Sequence, residues 1–345
     1  MTLHARAFAA ALCLIGWALS AQAQTSSAAT SSSAPRLSPA DRIRLAEAFR
    51  IGEKLGDKVW KGWSEAPFAV LLVAPDYEFL IRHPRPSDEF VKTGYDSLLK
   101  SEIYYRKRVY EPNLLATFPA VGGISTIVVG QPLNTEARTS TRWVVTLLHE
   151  HFHQLQDSQP TFYREVNALN LARGDQTGMW MLNFPFPYHS DEIKKQFSIL
   201  GRALALALRP APPKQFKTRL RAYIAARIHL KEMLDDDDYK YFSFQLWKEG
   251  VARYTEYRIA RLASTGYQPT VEFRSLEDFT TFKQVADSIK TRIMSELSAP
   301  SLNKQQRVAF YAVGAAEALL LDRANPGWQR RYMAEKFFLD KYFRP

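Results

Sequence analysis

The stretch that decides the reading is Thr141-Arg142-Trp143-Val144-Val145-Thr146-Leu147-Leu148-His149-Glu150-His151-Phe152-His153. It holds neither Gly nor Pro and predicts a helix starting near Ser140 or Thr141. Its last five residues read H-E-x-x-H. On a helix, residues four apart stand one turn above each other, so His149 and His153 present imidazoles to a common point. Neutral imidazole is a good zinc ligand, and one further carboxylate would leave the fourth tetrahedral position open to water. Glu150, beside the first ligand, is then placed to take the proton of that water as it attacks a carbonyl. The competing reading is a pair of surface histidines that fit the spacing by chance.

Before this stretch the chain changes character several times. Met1 to Arg6 is a short positive start, Ala7 to Leu19 an apolar run, and Ala21-Gln22-Ala23 an A-x-A cleavage site, so residues 1–23 read as a secretory signal peptide. Cys13 is the only cysteine and lies inside it, which removes disulfides and thiol chemistry from the expected mature chain. No later stretch reaches about 18 uninterrupted apolar residues, so no transmembrane segment is expected in the mature chain. The expected location is the periplasm or the medium.

Removing Arg6 with the signal takes the net charge from +11 to +10. That excess points to anionic surfaces or substrates, such as an anionic envelope surface. An exported chain without a basic-aromatic motif is read as having no nucleic-acid partner. With 46% hydrophobic residues, the remainder can bury a large core.

Residues 24–37 are rich in Ser, Ala and Thr and predict a disordered linker. Ser38-Pro39 opens an amphipathic helix to about Leu55. Four apolar, β-branched or aromatic runs bounded by Pro and Gly then predict strands at 68–73, 77–81, 102–105 and 125–129. After Gln154 the period is helical, over about 190–208, 214–234, 241–263, 277–297, 302–322 and 327–341, with prolines between several of the runs. The fold class is therefore α+β. A small β-containing lobe (about 57–135) precedes a mainly helical lobe (about 140–345), the two forming one catalytic domain over 38–345.

A third ligand is offered by Glu249. The run Glu249-Gly250-Val251-Ala252-Arg253-Tyr254-Thr255-Glu256-Tyr257, taken with HExxH, resembles the E-G-F-A-x-Y-x-E-Y segment of gluzincin metallopeptidases. The nearest branches are the aminopeptidase-N-like and glycyl-aminopeptidase-like ones. The resemblance implies a zincin-like fold, zinc held by His149, His153 and Glu249, and a peptide or protein substrate. Glu256, two turns beyond Glu249, is placed to orient a ligand imidazole. Tyr311-Ala312-Val313-Gly314-Ala315 is similar to the family's Y-x-K-G-A segment, which implies Tyr311 as the donor to the oxyanion.

Three departures bear on the substrate and on the insertion. His153 and Glu249 lie much farther apart than in the family, so 154–244 reads as a helical insertion, a wall or lid over the cleft. Gly122-Gly123-Ile124-Ser125-Thr126 replaces the aminopeptidase G-x-M-E-N signature, and Val313 replaces its Lys. Strand 125–129 is expected to be the edge that pairs with an extended substrate. His151 reads as a packing or surface residue, and Phe152 as packing beneath the metal site. Asp235 to Asp238 reads as a solvated turn that could attract a cation. Glu165 and His189 are the fallback ligands. The leading expectation is an exported zinc peptidase with Glu150 as general base. The alternative is a gluzincin-fold envelope protein without activity that binds a partner through its basic surface.

Overall fold

The computed structural model describes residues 34–343, so the expected signal peptide, with Cys13, and residues 24–33 of the linker lie outside the described residues. Residues 34–37 precede the first helix without regular structure, and Leu37 is buried in the core. Ser38 caps helix α1 (Pro39–Val59) through its hydroxyl, which accepts the Asp41 N–H, and Pro39 occupies the first turn, where no N–H is missed. Leu45, Ala48, Phe49, Ile51 and Leu55 make its buried face.

Six strands follow: β1 (Val70–Val73), β2 (Tyr77–Ile81), β3 (Val91–Asp96), β4 (Ser101–Lys107), β5 (Leu115–Val121) and β6 (Ile124–Gly130). They form one sheet in the order β3-β4-β2-β1-β6-β5. Among the described residues, only β1 and β6 pair in parallel. The alternating positions Val70 and Leu72 join the main core, while Leu71 and Val73 join a smaller cluster on the opposite face. This is why β1 reads as a continuous apolar run instead of an alternating one.

Two of these strands escape the sequence reading. β3 has mostly exposed positions, and β5 carries Pro119 in its middle. Proline donates no hydrogen bond and is tolerated at a sheet edge, which is where β5 lies. The expectation that 125–129 forms the edge is therefore corrected. β6 is hydrogen-bonded on both sides, to β1 and β5, and the free edges belong to β5 and β3.

The helical part comprises α2 (Ser140–Asp157), α3 (Phe162–Ala168), α4 (Trp180–Asn183), α5 (Asp191–Leu208), α6 (Pro213–Met233), α7 (Asp236–Gln245), α8 (Val251–Gly266), α9 (Val271–Arg274), α10 (Phe282–Ser298), α11 (Leu302–Gln305), α12 (Ala309–Ala324) and α13 (Gln329–Tyr332). A π-helical turn, Leu246–Gly250, joins α7 to α8 without a break. The expected helix 302–322 starts properly only at Ala309, after Gln306 takes a positive φ of 48°. The expected 327–341 helix shrinks to α13 and a short turn at Leu339–Phe343.

Residues 154–244 are not a lid laid over the surface. Their helices α5 and α6 pack on each other, and α5 packs on α10 and α12. Leu200, Leu204 and Tyr223 are fully buried there. This segment is a large share of the helical core. Helix α2 lies between the two parts of the domain, against β5 and β6 on one side and α1 and α8 on the other.

Candidate metal centre

Helix α2 has three histidines, and their surroundings separate them. His151 is buried between aromatic rings, stacked on Phe68 at 3.7 Å and on Trp63 at 5.6 Å. Burial, which the contact with the Ala66 carbonyl does not offset, holds its imidazole down to about 3, so it is a neutral packing residue. Phe152, next to it, packs on Trp60 and Tyr332. His149 and His153 face the other way, and their Nε2 atoms are 3.1 Å apart.

The partners of the Nδ1 atoms decide what those Nε2 atoms can do. Nδ1 of His153 donates to the Gln156 side-chain oxygen at 2.7 Å. Nδ1 of His149 lies 2.8 Å from Glu256 Oε1, a close contact bent away from a straight hydrogen bond. An imidazole that donates from Nδ1 carries a bare lone pair on Nε2. At 3.1 Å the two Nε2 atoms need a proton or a metal ion between them. Glu249 closes the third side, with Oε2 3.7 Å from His149 Nε2 and 3.5 Å from His153 Nε2.

These separations suit a metal. Bonds near 2.0–2.1 Å in a tetrahedron place ligand atoms about 3.3–3.4 Å apart. His149, His153 and Glu249 thus form a group that could hold a metal ion. Neither fallback ligand comes near it: Glu165 pairs with Lys336, and His189 is exposed.

Glu249 sits on the π-helical turn, which is held in two ways. Gln156 Nε2 donates to the Trp247 and Lys248 carbonyls, and the Tyr332 hydroxyl donates to Trp247 as well. A single amide therefore steadies both His153 and the turn that carries Glu249. On the opposite side the turn meets α12 backbone to backbone. A Cβ at Gly250 would lie 2.5 Å from Gly314 Cα. Gly250 thus admits α12, not α2 as its neighbourhood in the sequence suggests, although α8 does pack on α2.

This crossing brings Tyr311, one turn before Gly314, close enough to Glu249 for the carboxylate to act on it. Burial and that negative charge push its phenol well above the usual range and keep it protonated. Arg307 donates to its oxygen, and the Arg253 guanidinium lies 5.0 Å over its ring.

The charges around the pair of imidazoles are mostly negative. Burial disfavours charge on His149, but Glu249 and Glu256 outweigh it and raise the imidazole to about 10. Burial likewise raises Glu256, yet Arg142 and His149 win and hold it at about 2. The site calls for a positive charge, whether proton or metal. Glu150 stands beside it with its carboxylate accepting the Thr117 hydroxyl of β5 at 2.6 Å.

Comparison with known protein families, curated proteins and solved structures finds no match. The family resemblance therefore rests on the three motifs themselves.

Sequence reasoning missed four residues here. Gln156, three places after His153 on the same helix face, could have been found from spacing alone. Arg142, two turns before His149 on α2, and Arg307, four residues before Tyr311, also stand at helical spacing, whereas Thr117 reaches the site only through tertiary packing. Asp235 to Asp238 lies elsewhere. Asp235 flanks α7, and Asp236 and Asp237 pair with Lys240 and Arg173. Among the described residues, no helix is long and apolar enough to cross a membrane.

Proposed function

We propose that this chain is a zinc-dependent metallopeptidase of gluzincin type with a zincin-like fold, exported by residues 1–23 and acting outside the cytoplasm on peptides or proteins. The observation that carries the reading is the pair of Nε2 atoms 3.1 Å apart, with the Glu249 carboxylate facing both. Zinc held by His149, His153 and Glu249 would supply Lewis acidity for the scissile carbonyl and the attacking water. Glu150 takes the proton of that water and passes it to the leaving amine. The Thr117 hydroxyl fixes the orientation of the Glu150 carboxylate. Tyr311, kept protonated, donates to the oxyanion. The free edge of β5, which carries Thr117, supplies backbone groups for an extended substrate.

Glu256 and Gln156 fix the two imidazoles through Nδ1, the arrangement by which outer partners orient metal ligands. The binding-protein alternative has no need of a carboxylate positioned as Glu150 is. The test is Glu150→Gln. It should keep the metal, by elemental analysis, and lose hydrolysis of an unfolded protein by at least about a hundredfold. A variant cleaving at the parent rate would remove Glu150 from the mechanism.

A further inference from the structure

Next to the centre, a cavity of about 410 Å³ is walled by the first turn of α2, by α8 and by α10, a volume within the range of small-ligand pockets. None of His149, His153 and Glu249 lines it. It reaches the centre through two residues. One is Glu256, which faces His149. The other is Arg253, whose guanidinium covers the Tyr311 ring.

Three guanidinium groups line this space, from Arg142, Arg253 and Arg292. Arg253 and Arg292 each donate one hydrogen bond to the same acceptor, Glu296, both at 2.7 Å. Arg142 comes within 2.9 Å of Glu256 Oε2, but its buried Nη1 makes no hydrogen bond among the described residues. Each guanidinium has five N–H donors, so most of those around the cavity lack a protein acceptor. Of these only Arg142 Nη1 is a buried donor without a hydrogen bond among the described residues, a state in which buried donors are rarely left. A planar acceptor with two oxygens matches the guanidinium fork.

The remaining lining narrows the choice. Thr280 and Ser288 add hydroxyls, while Ala137 and Ile289 add hydrocarbon, as suits a carboxylate on an aliphatic stem. Glu136, at the rim, is exposed, and its charge is screened by solvent. Arg142 precedes His149 by seven residues on α2, a rise of roughly 10 Å. An extended peptide covers that distance in about three residues.

We propose that this cavity receives a carboxylate of the peptide substrate, from an acidic side chain or the C-terminus, about three residues from the bond cut; the inference rests on reading the centre as hydrolytic. Calorimetry on the metal-loaded full chain tests it with glutarate and with one short peptide in three forms: neutral and amidated, neutral with a free C-terminus, and amidated with one glutamate. Glutarate should bind, and one or both acid-bearing peptides should bind at least about tenfold tighter than the neutral one. Which peptide gains tells side chain from C-terminus.

Arg292 is 44% exposed, so Arg292→Gln should fold normally and erase the advantage, while Arg292→Lys should restore only part of it. Equal binding of all three peptides would overturn the proposal. So would an advantage that survives both Arg292→Gln and Arg142→Gln. If glutarate binding depends on these arginines but no peptide is cleaved, the carboxylate site stands and the hydrolytic reading falls. If peptides are cleaved alike with or without acid groups and glutarate does not bind, the reverse holds.

Discussion

Helix α12 braces two buried polar clusters that differ in what they leave facing what. Toward its C-terminal half, Glu317 accepts from the Arg227 guanidinium at 3.0 Å and from the Tyr223 hydroxyl, joining α12 to α6. Each charge there meets its opposite, and Arg227 also lies over the Phe242 ring at 4.7 Å. Near its start, α12 backs the turn carrying Glu249, whose carboxylate faces two imidazole Nε2 atoms 3.1 Å apart. Both clusters are buried and both shift pKa values, so neither property separates a site from a structural tie. The difference is that the first is closed in charge, while the second needs a cation from outside.

That contrast is open to attack by substitution. The largest effect should follow His153→Ala, which leaves two protein ligands; metal content by elemental analysis should fall from one per chain to near none. Fold stability by denaturant titration should change far less. At the other cluster the outcomes should exchange places. Glu317→Ala should cost about 3–5 kcal/mol of stability, because it strands a buried guanidinium, with metal content unchanged. Replacing both partners, Arg227→Met with Glu317→Leu, should recover most of that loss. No pair of apolar replacements at His149 and His153 should keep the metal.

A smaller effect should come from Glu256→Gln, which removes the charge behind His149 and should weaken zinc binding by about ten- to a hundredfold. Gln156→Leu should do the same at His153. Competition with a chromophoric chelator measures both, and parent-like affinities would mean that the partners of Nδ1 contribute little.

The smallest effect distinguishes the histidines of α2. His151 has its folded pKa depressed to about 3 by burial, against an ordinary value near 6.5. Its contribution to stability is then complete above pH 6.5 and is lost as the pH falls toward 3. In His151→Gln the acid limb of the stability curve should be shallower than in the parent by about 1 kcal/mol per pH unit. Parallel curves would show that His151 is not held neutral.

What was legible in the sequence follows from the range of each interaction. His149 and His153 could be paired because helix geometry alone sets their relation, and α1 and the central strands because burial writes itself into apolar periodicity. Glu249 became legible only through a resemblance, since nothing local says that residues so far apart in the chain meet. The expected edge at 125–129 fails because β5 lies beyond it, and the apolarity of that run instead marks the buried interior of a sheet. β5 hid behind Pro119 and its exposed positions, and with it Thr117. Of the wall or lid expected of 154–244, the lid fails because helical period does not tell which layer a helix joins.

The central claim is that His149, His153 and Glu249 together hold zinc. Anomalous diffraction at the zinc edge, on crystals of protein purified without chelator, tests it most directly. The account predicts one full peak bonded to both Nε2 atoms near 2.0–2.1 Å and to a Glu249 oxygen near 2.0–2.2 Å. Absence of a peak there after zinc is supplied, or a peak bonded to the imidazoles with Glu249 turned away, would contradict it.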